Sequence, residues 1–316
     1  MKEILKKFKN QKIAVIGDLI LDKYIYGEVD RISPEAPVPI VRVLKEKYVP
    51  GGAANVAANI STLGGNAYLF GIVGNDQYKD ILLQKTAEMN ILTSGIFTDS
   101  KKTTIRKTRV IGLNQQLLRI DHENTDYIET HQEEEFINRL KDINDLSAII
   151  VSDYAKGTIT KQLMLQLIQF SNANGILLII DPKPKHKDWY TGSTLITPNK
   201  KEAQEISGIL IESENNLIKA GEMLVNTFAA DVIITAGADG MYVFEKTSTH
   251  NHIPTQAREV YDVSGAGDTV IATFALALSC KASLNDAAIL ANHAAGIKVG
   301  KIGTAPVYLE ELLNSI

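Results

Sequence analysis

Short apolar runs alternate with segments of helical period along nearly the whole chain. Lys12 to Gly17 reads as a strand. Gly52 to Leu63 reads as a helix, followed by a strand at Ala67 to Val73, and Asp76 to Met89 is helical. Ala148 to Ser152, Ile176 to Asp181, Leu195 to Thr197 and Val232 to Thr235 are apolar, rich in β-branched residues and flanked by helical segments. Such unbroken runs suit parallel strands covered on both faces. Helices close the chain at Ala266 to Ser279, Leu284 to Lys301 and Val307 to Leu313. The alternation predicts an α/β fold: a doubly wound, mostly parallel sheet flanked by helices, with ligands at the carboxyl ends of its strands.

Two segments break the alternation. Asp22 to Leu44 holds three prolines and alternating residues but little helical signal, and Thr103 to Ile120 is also strand-like. Together they predict a small β lid, formed by about 22–44 and 103–120, on a single domain spanning 1–316. A lid has edges that must be covered, so pairing with a second copy into a homodimer is expected.

The 316 residues include 45% apolar and 22% charged positions, ordinary for a globular chain. A net charge of −4 gives no reason to expect nucleic acid. The lone Cys280 excludes an intrachain disulfide and reads as a buried, inert thiol. No apolar stretch approaches the roughly 20 residues that span a bilayer. Gly17-Asp18 interrupts the first apolar run, so no signal peptide is read and a cytoplasmic location is expected. The six histidines lack metal-site spacing, Glu133 to Glu135 reads as a solvated helix face, and Gly296 to Lys301 imitates a P-loop with the wrong glycine spacing.

Chemistry concentrates at Asp262-Val263-Ser264-Gly265-Ala266-Gly267-Asp268-Thr269. Three small residues at a helix start leave backbone N–H groups uncovered, and these attract anions. A carboxylate beside such a site makes sense as a base for a hydroxyl, while the amides of Gly265, Ala266 and Gly267 stabilise a transferring phosphoryl group. The alternative is a small-residue cap with Asp in its first turn. Gly51 and Gly52 open the first long helix and let a ligand approach the backbone. Asn55, one turn on, offers a donor and an acceptor in the same direction. Asp18 follows the first strand at its carboxyl end, as a hydroxyl acceptor or a turn residue. Asn199 and Glu202 share one face of a helix start; they could hold Mg²⁺ through water or form a capping box.

These motifs are similar, in order and spacing, to those of the ribokinase/PfkB family of sugar kinases. Gly51-Gly52-Ala53-Ala54-Asn55-Val56-Ala57 resembles the family's N-terminal signature and Asp262 to Thr269 its C-terminal one. Asn199-Lys200-Lys201-Glu202 resembles its NxxE motif, and Thr235-Ala236-Gly237-Ala238-Asp239-Gly240 its nucleotide loop. Within the family, three further segments resemble the D-glycero-β-D-manno-heptose 7-phosphate kinases. They are Arg31 to Ile40, Thr108-Arg109-Val110-Ile111 with Asn114 to Arg119, and Ser152-Asp153-Tyr154-Ala155-Lys156-Gly157. That kinase is often fused to an adenylyltransferase; the chain's end after the kinase segment suggests the stand-alone form.

The resemblance implies a ribokinase-like fold and ATP-dependent phosphorylation of the sugar's anomeric hydroxyl, giving a 1,7-bisphosphate on the route to ADP-heptose and lipopolysaccharide core. It implies Asp268 as general base and Asp18 as a sugar ligand. Arg109 and Lys156 become candidates for the phosphate already on the sugar. Thr235, Gly237 and Gly240 would form the turn under the nucleotide. Lys183 is a candidate for nucleotide phosphate and Asn292 an adenine neighbour or a packing residue. Asp262, Ser264 and Gly303 fall where related kinases bind a monovalent cation; whether this chain uses one stays open. All of these expectations require the two glycine-marked helix starts to face each other across a single cleft.

Overall fold

The apolar runs become strands of one large sheet. A computed structural model describes residues 1–316 except Asn114, Ser248, Arg258, Glu259, Ile302 and Thr304, so Asn114 of the segment noted above lies outside the described residues. In chain order the strands are β1 (Lys12–Gly17), β2 (Leu19–Ile32), β3 (Pro39–Gly52), β4 (Asn66–Gly74), β5 (Leu92–Asp99), β6 (Ile105–Gly112), β7 (Gln115–His122), β8 (Ala148–Ser152), β9 (Leu177–Asp181), β10 (Leu195–Ile196), β11 (Asp231–Thr235), β12 (Met241–Phe244) and β13 (His250–Ile253). The large sheet has the order β13-β12-β11-β10-β9-β8-β1-β4-β5. It is parallel from β11 to β5, with β12 and β13 added antiparallel at one edge.

Side chains of β1 show why the runs are unbroken. Ile13 and Val15 pack with Val56, Ile271, Phe274 and Leu290 on one face, while Ala14 and Ile16 pack with Phe136, Leu163 and Leu167 on the other. Burying each large aliphatic side chain contributes about 1.5–3 kcal/mol in transfer terms. The helices Ala53–Thr62, Ala266–Ser279 and Leu284–Val299 supply the first face; Thr130–Lys141, Lys161–Asn174 and Glu214–Phe228 supply the second. The fold is ribokinase-like, as expected. Glu133 corrects the reading of its helix: it is turned inward and accepts from the Thr160 hydroxyl, because Phe136 and Leu140 draw that face into the core.

Strand register brings the chemistry to one rim. Gly17 pairs with Ser152, Ser152 with Asp181, Ile180 with Ile196, and Asn199 bridges Thr235. The carboxyl ends of β1, β8, β9, β10 and β11 therefore line up.

The second sheet, in the order β3-β2-β6-β7, is the lid. It starts nearer the body than expected, because only Asp18 separates β1 from β2 and β3 runs on to Gly52. Leu19, Ile20 and Leu21 are buried at its base, whereas Ile32, Val43, Leu44, Leu118 and Ile120 are exposed. Gly52 closes the base, opposite Leu19. Its φ of +56° is unfavourable for any side chain, and a Cβ there would overlap the Asp18 carbonyl oxygen. Gly52→Ala is expected to lose about 2 kcal/mol or more of stability, seen as a lower urea midpoint at unchanged slope.

Candidate active site

Gly265 precedes the helix Ala266–Ser279 in a left-handed conformation, φ +77°, and a Cβ there would press on the Asn55 amide. Two turns of chemistry meet at this point. The Asp268 carboxylate is buried; its Oδ2 accepts from Asn55 Nδ2 at 2.5 Å and its Oδ1 from the Tyr154 hydroxyl at 3.0 Å. A second rung lies behind, where the Thr269 hydroxyl donates to Asn59 Oδ1 at 2.9 Å and Asn59 Nδ2 donates to the Asn55 carbonyl. The two glycine-marked helix starts thus face each other directly. Asn59 sits one turn beyond Asn55, and that i, i+4 pair was the available sequence signal.

A cavity of about 170 Å³ opens beside Asp268, lined by Tyr154, Asp181, Lys183, Thr197, Asn199, Glu202, Thr235, Gly265, Gly267 and Val270. Gly267 has open space where a side chain would stand, whereas the N–H of Ala266 is taken by the Val263 carbonyl. Of the three small residues, Ala266 therefore has no free amide to offer. Gly237 and Gly240 hold positive φ in the turn after β11. Lys200 and Lys201, which the motif resemblance implies as nucleotide-binding residues, are both exposed and neither lines the cavity, because the helix Lys200–Ser207 turns Glu202 and Ala203 inward instead. Asn292 is also buried and donates to the Pro254 carbonyl at 2.7 Å, the packing alternative. His293, Gly296 and Ile297 on the same helix instead line an open cavity with Tyr261.

Asp18 differs from the expected hydroxyl acceptor. It is fully buried, and its two oxygens accept the backbone N–H groups of Tyr154, Lys156 and Thr158, each at 3.0 Å. Asp153, one residue before this loop, accepts from Ala155 N and the Tyr190 hydroxyl and pairs with His186 Nδ1 at 2.7 Å. These two carboxylates shape the loop that carries Tyr154.

Sequence reasoning passed over Asp22, which lies in the run Leu19-Ile20-Leu21-Asp22. A lone carboxylate in an apolar strand was the signal. Asp22 is buried, nestles against Gly51 where a Cβ would collide with it, and pairs with Arg109. Register places Lys107 opposite Asp22 and Arg109 opposite Tyr24, so these side chains share one lid face with Arg119. Lys107 lies against the Tyr154 ring, as does Lys183. Lys156 pairs with Glu123 at 2.6 Å.

Electrostatics divide the cleft. Burial raises the Asp268 pKa, the Asn55 and Tyr154 hydrogen bonds oppose the rise, and Asp22 adds to it. Asp181 is held well above the usual carboxylate range by burial and by the Glu202 and Asp268 charges. Lys107 is lowered by burial and by Lys156 and Arg119, although Asp22 resists. One end of the cleft is thus overcrowded with carboxylates and the other with cations. Asn199 and Glu202 form the reciprocal capping box, and Glu202 Oε1 also takes the Lys183 ammonium at 2.5 Å. Among the described residues no group of three His, Cys, Asp or Glu is placed to ligate a metal ion together. The donor set nonetheless fits Mg²⁺, which keeps several waters and takes one or two carboxylates plus substrate phosphates; Asp181 and Glu202 would hold it.

Comparisons with known proteins bear on the family and the fold. The model of the pfkB family carbohydrate kinases matches residues 10–311. The chain is 45% identical over 306 residues to the Bifunctional protein HldE of Geobacter metallireducens, covering 96% of this chain and 62% of that protein. It is 41% identical over 318 residues to the Bifunctional protein HldE of Proteus mirabilis, covering 100% of this chain and 66% of that protein. The chain thus spans less than two thirds of these relatives' length. In fold it resembles phosphofructokinase-2 of Escherichia coli, solved in complex with substrates and products, at TM-score 0.80 and 19% identity, with coverage of 96% and 97%. Arabidopsis thaliana ribokinase, complexed with ribose and ATP, gives TM-score 0.76 at 16% identity, with coverage of 96% and 98%.

Removing the Asn55 donor strips Asp268 of one of the two hydrogen bonds that oppose burial there, leaving Tyr154 alone. In Asn55→Ala the Asp268 carboxyl is expected to titrate at higher pH than in the parent, read from its ¹³C carboxyl resonance. An unchanged or lower value would contradict this account of the site.

Proposed function

The chain belongs to the pfkB carbohydrate kinase family, and from that premise we propose that it phosphorylates the anomeric hydroxyl of D-glycero-β-D-manno-heptose 7-phosphate with ATP. The observation that carries the reading is the position of Asp268. Its carboxylate stands between a carboxylate-rich nucleotide end and a cation-rich lid end of one cleft. The Arg31 to Ile40 and Ser152 to Gly157 segments, with the similarity to the two bifunctional proteins, favour the heptose over other sugars.

Asp268 acts as general base. Each carboxylate oxygen has two acceptor directions, so hydrogen bonds from Asn55 and Tyr154 leave capacity for the substrate hydroxyl. As that oxygen bonds to the γ-phosphorus, its proton passes to Asp268, the bond from phosphorus to the β–γ bridging oxygen breaks, and ADP leaves. The Gly267 amide and the helix dipole stabilise the equatorial phosphoryl oxygens. Asp22, beside Gly51, takes the sugar-hydroxyl role that the sequence had given to Asp18, and Asp18 positions the 154–158 loop. Lys107, Arg109 and Lys156 receive the 7-phosphate, which relieves the repulsion between Lys107 and Lys156. Bound Mg²⁺ would neutralise charge on the β- and γ-phosphates, held from Asp181 and Glu202. Lys183 and Thr235 sit beside those phosphates, and the cavity with Tyr261 and His293 suits the base. Exposed apolar residues on the lid support its pairing with a second copy. Product of this step would feed ADP-heptose synthesis.

A panel of ribose, fructose, fructose 6-phosphate and the heptose 7-phosphate with ATP tests the assignment; turnover of ribose or fructose with the heptose phosphate ignored overturns it. Asp268→Asn is expected to keep sugar binding and lower kcat by about 10²–10⁴-fold. Arg109→Ala is expected to raise KM for the 7-phosphate sugar by about tenfold or more, and far less for the dephosphorylated sugar. Equal losses on both would remove Arg109 from the phosphate.

A further inference from the structure

Lys298 lies on the helix Leu284–Val299 and is fully buried. Its ammonium donates to the Gly303 carbonyl at 2.6 Å, and among the described residues it makes no ion pair with a carboxylate. Burying a charge without a close partner of opposite sign is strongly unfavourable, so an ammonium at such a place calls for an explanation. Around it stand Asp262 and Asp268, whose charges favour the ammonium, and Lys301, which opposes it. The lysine stem also lies next to Gly265, about 3.5 Å from where a Cβ on that glycine would be.

Asp262, Ser264 and Gly303 do not fit the monovalent cation that the sequence left open. Asp262 Oδ1 accepts the Ser264 N–H at 2.8 Å and Oδ2 accepts the Gly303 N–H at 2.9 Å. The Gly303 carbonyl is already taken by Lys298. A potassium ion binds through oxygen atoms, and here those oxygens face N–H donors and a fixed positive charge that would repel it.

We infer that Lys298 is a built-in cation for this site, its ammonium supplying beneath the Gly265–Asp268 turn the positive charge that a bound monovalent ion would otherwise bring. It is a positioning residue: it holds Gly303 against Asp262, fixes the turn, and adds a positive potential behind the transferring phosphoryl group. The inference rests on the kinase reading above.

The test is cation dependence. The parent protein is assayed with ATP and the heptose 7-phosphate in potassium, sodium or tetramethylammonium chloride at equal ionic strength, and its melting temperature is followed in the same salts. Both are expected to be independent of the cation, with kcat/KM varying by less than about twofold. Lys298→Ala is expected to lose about tenfold or more in kcat in tetramethylammonium and to regain part of it, with a rise in melting temperature, in potassium or ammonium. Lys298→Met fills the space without a charge, so it is expected to fall without rescue. Activation of the parent by about tenfold in potassium overturns the inference whether or not the variants fold. A folded Lys298→Ala that no small cation restores also overturns it. No turnover of any sugar phosphate in any salt instead rejects the kinase reading.

Discussion

A carboxylate that the proposed reaction needs in its charged form is held where burial opposes its charge. Asp268 is buried at the mouth of the helix Ala266–Ser279, and desolvation is the largest influence on its proton affinity. The surroundings answer with two donated hydrogen bonds and a nearby ammonium, while Asp22 pushes the other way. The sign has a consequence for stability. A carboxyl whose folded pKa exceeds its ordinary 3.8 binds its proton more tightly in the folded chain. Stability contributed by that proton is present at low pH and lost as pH rises through the folded value. The ionised Asp268 carboxylate is therefore a standing cost at neutral pH, and the large two-faced core offsets it.

The same site ties the lid to the body. The chain leaves β1 through Asp18 into β2 and returns along β3 through Gly51 and Gly52 into the helix that carries Asn55. Asp22, Asp18 and Asn55 thus lie within a few residues of the two lid junctions. Any tilt of the lid carries Asp22 and Arg109 with it and bears on the helix whose Asn55 grips Asp268. Asn59 and Thr269 make the second rung of that grip, so the two helix starts are tied at two points.

Much of this was legible in the letters, for identifiable reasons. Unbroken apolar runs such as Ile149 to Val151 mark strands buried on both faces, and the glycine signatures mark helix starts whose backbone must stay bare. The lid was legible as two segments without helical period, though its base was not, since a junction of one residue leaves no turn signal. Asp18 was misjudged because sequence locates a strand end but does not say which way its carboxylate turns; three backbone N–H groups decide that. Asn199 and Glu202 could not be resolved by pattern because the capping box and the metal-facing pair use the same residues, and here Glu202 serves the cap and Lys183 together. Lys298 was invisible, for a lysine in a small-residue helix ordinarily reaches solvent.

Under the proposed function, charge accounts for how one cleft would take two phosphorylated ligands without confusing them. Arg109 leans on Asp22, Lys156 on Glu123, and Lys183 on Glu202. A phosphate arriving at any of these cations must compete with a carboxylate, so a single weak anion gains little there. An anion that engages Lys107, Arg109 and Lys156 together would recover more than it displaces, because it also cancels the repulsion between Lys107 and Lys156. At the other end Asp181, Glu202 and Asp268 repel a bare polyphosphate and favour one that brings its own divalent charge. Selectivity between the two ends thus follows from the sign of the local excess, with Tyr154 standing between them against both Lys107 and Lys183.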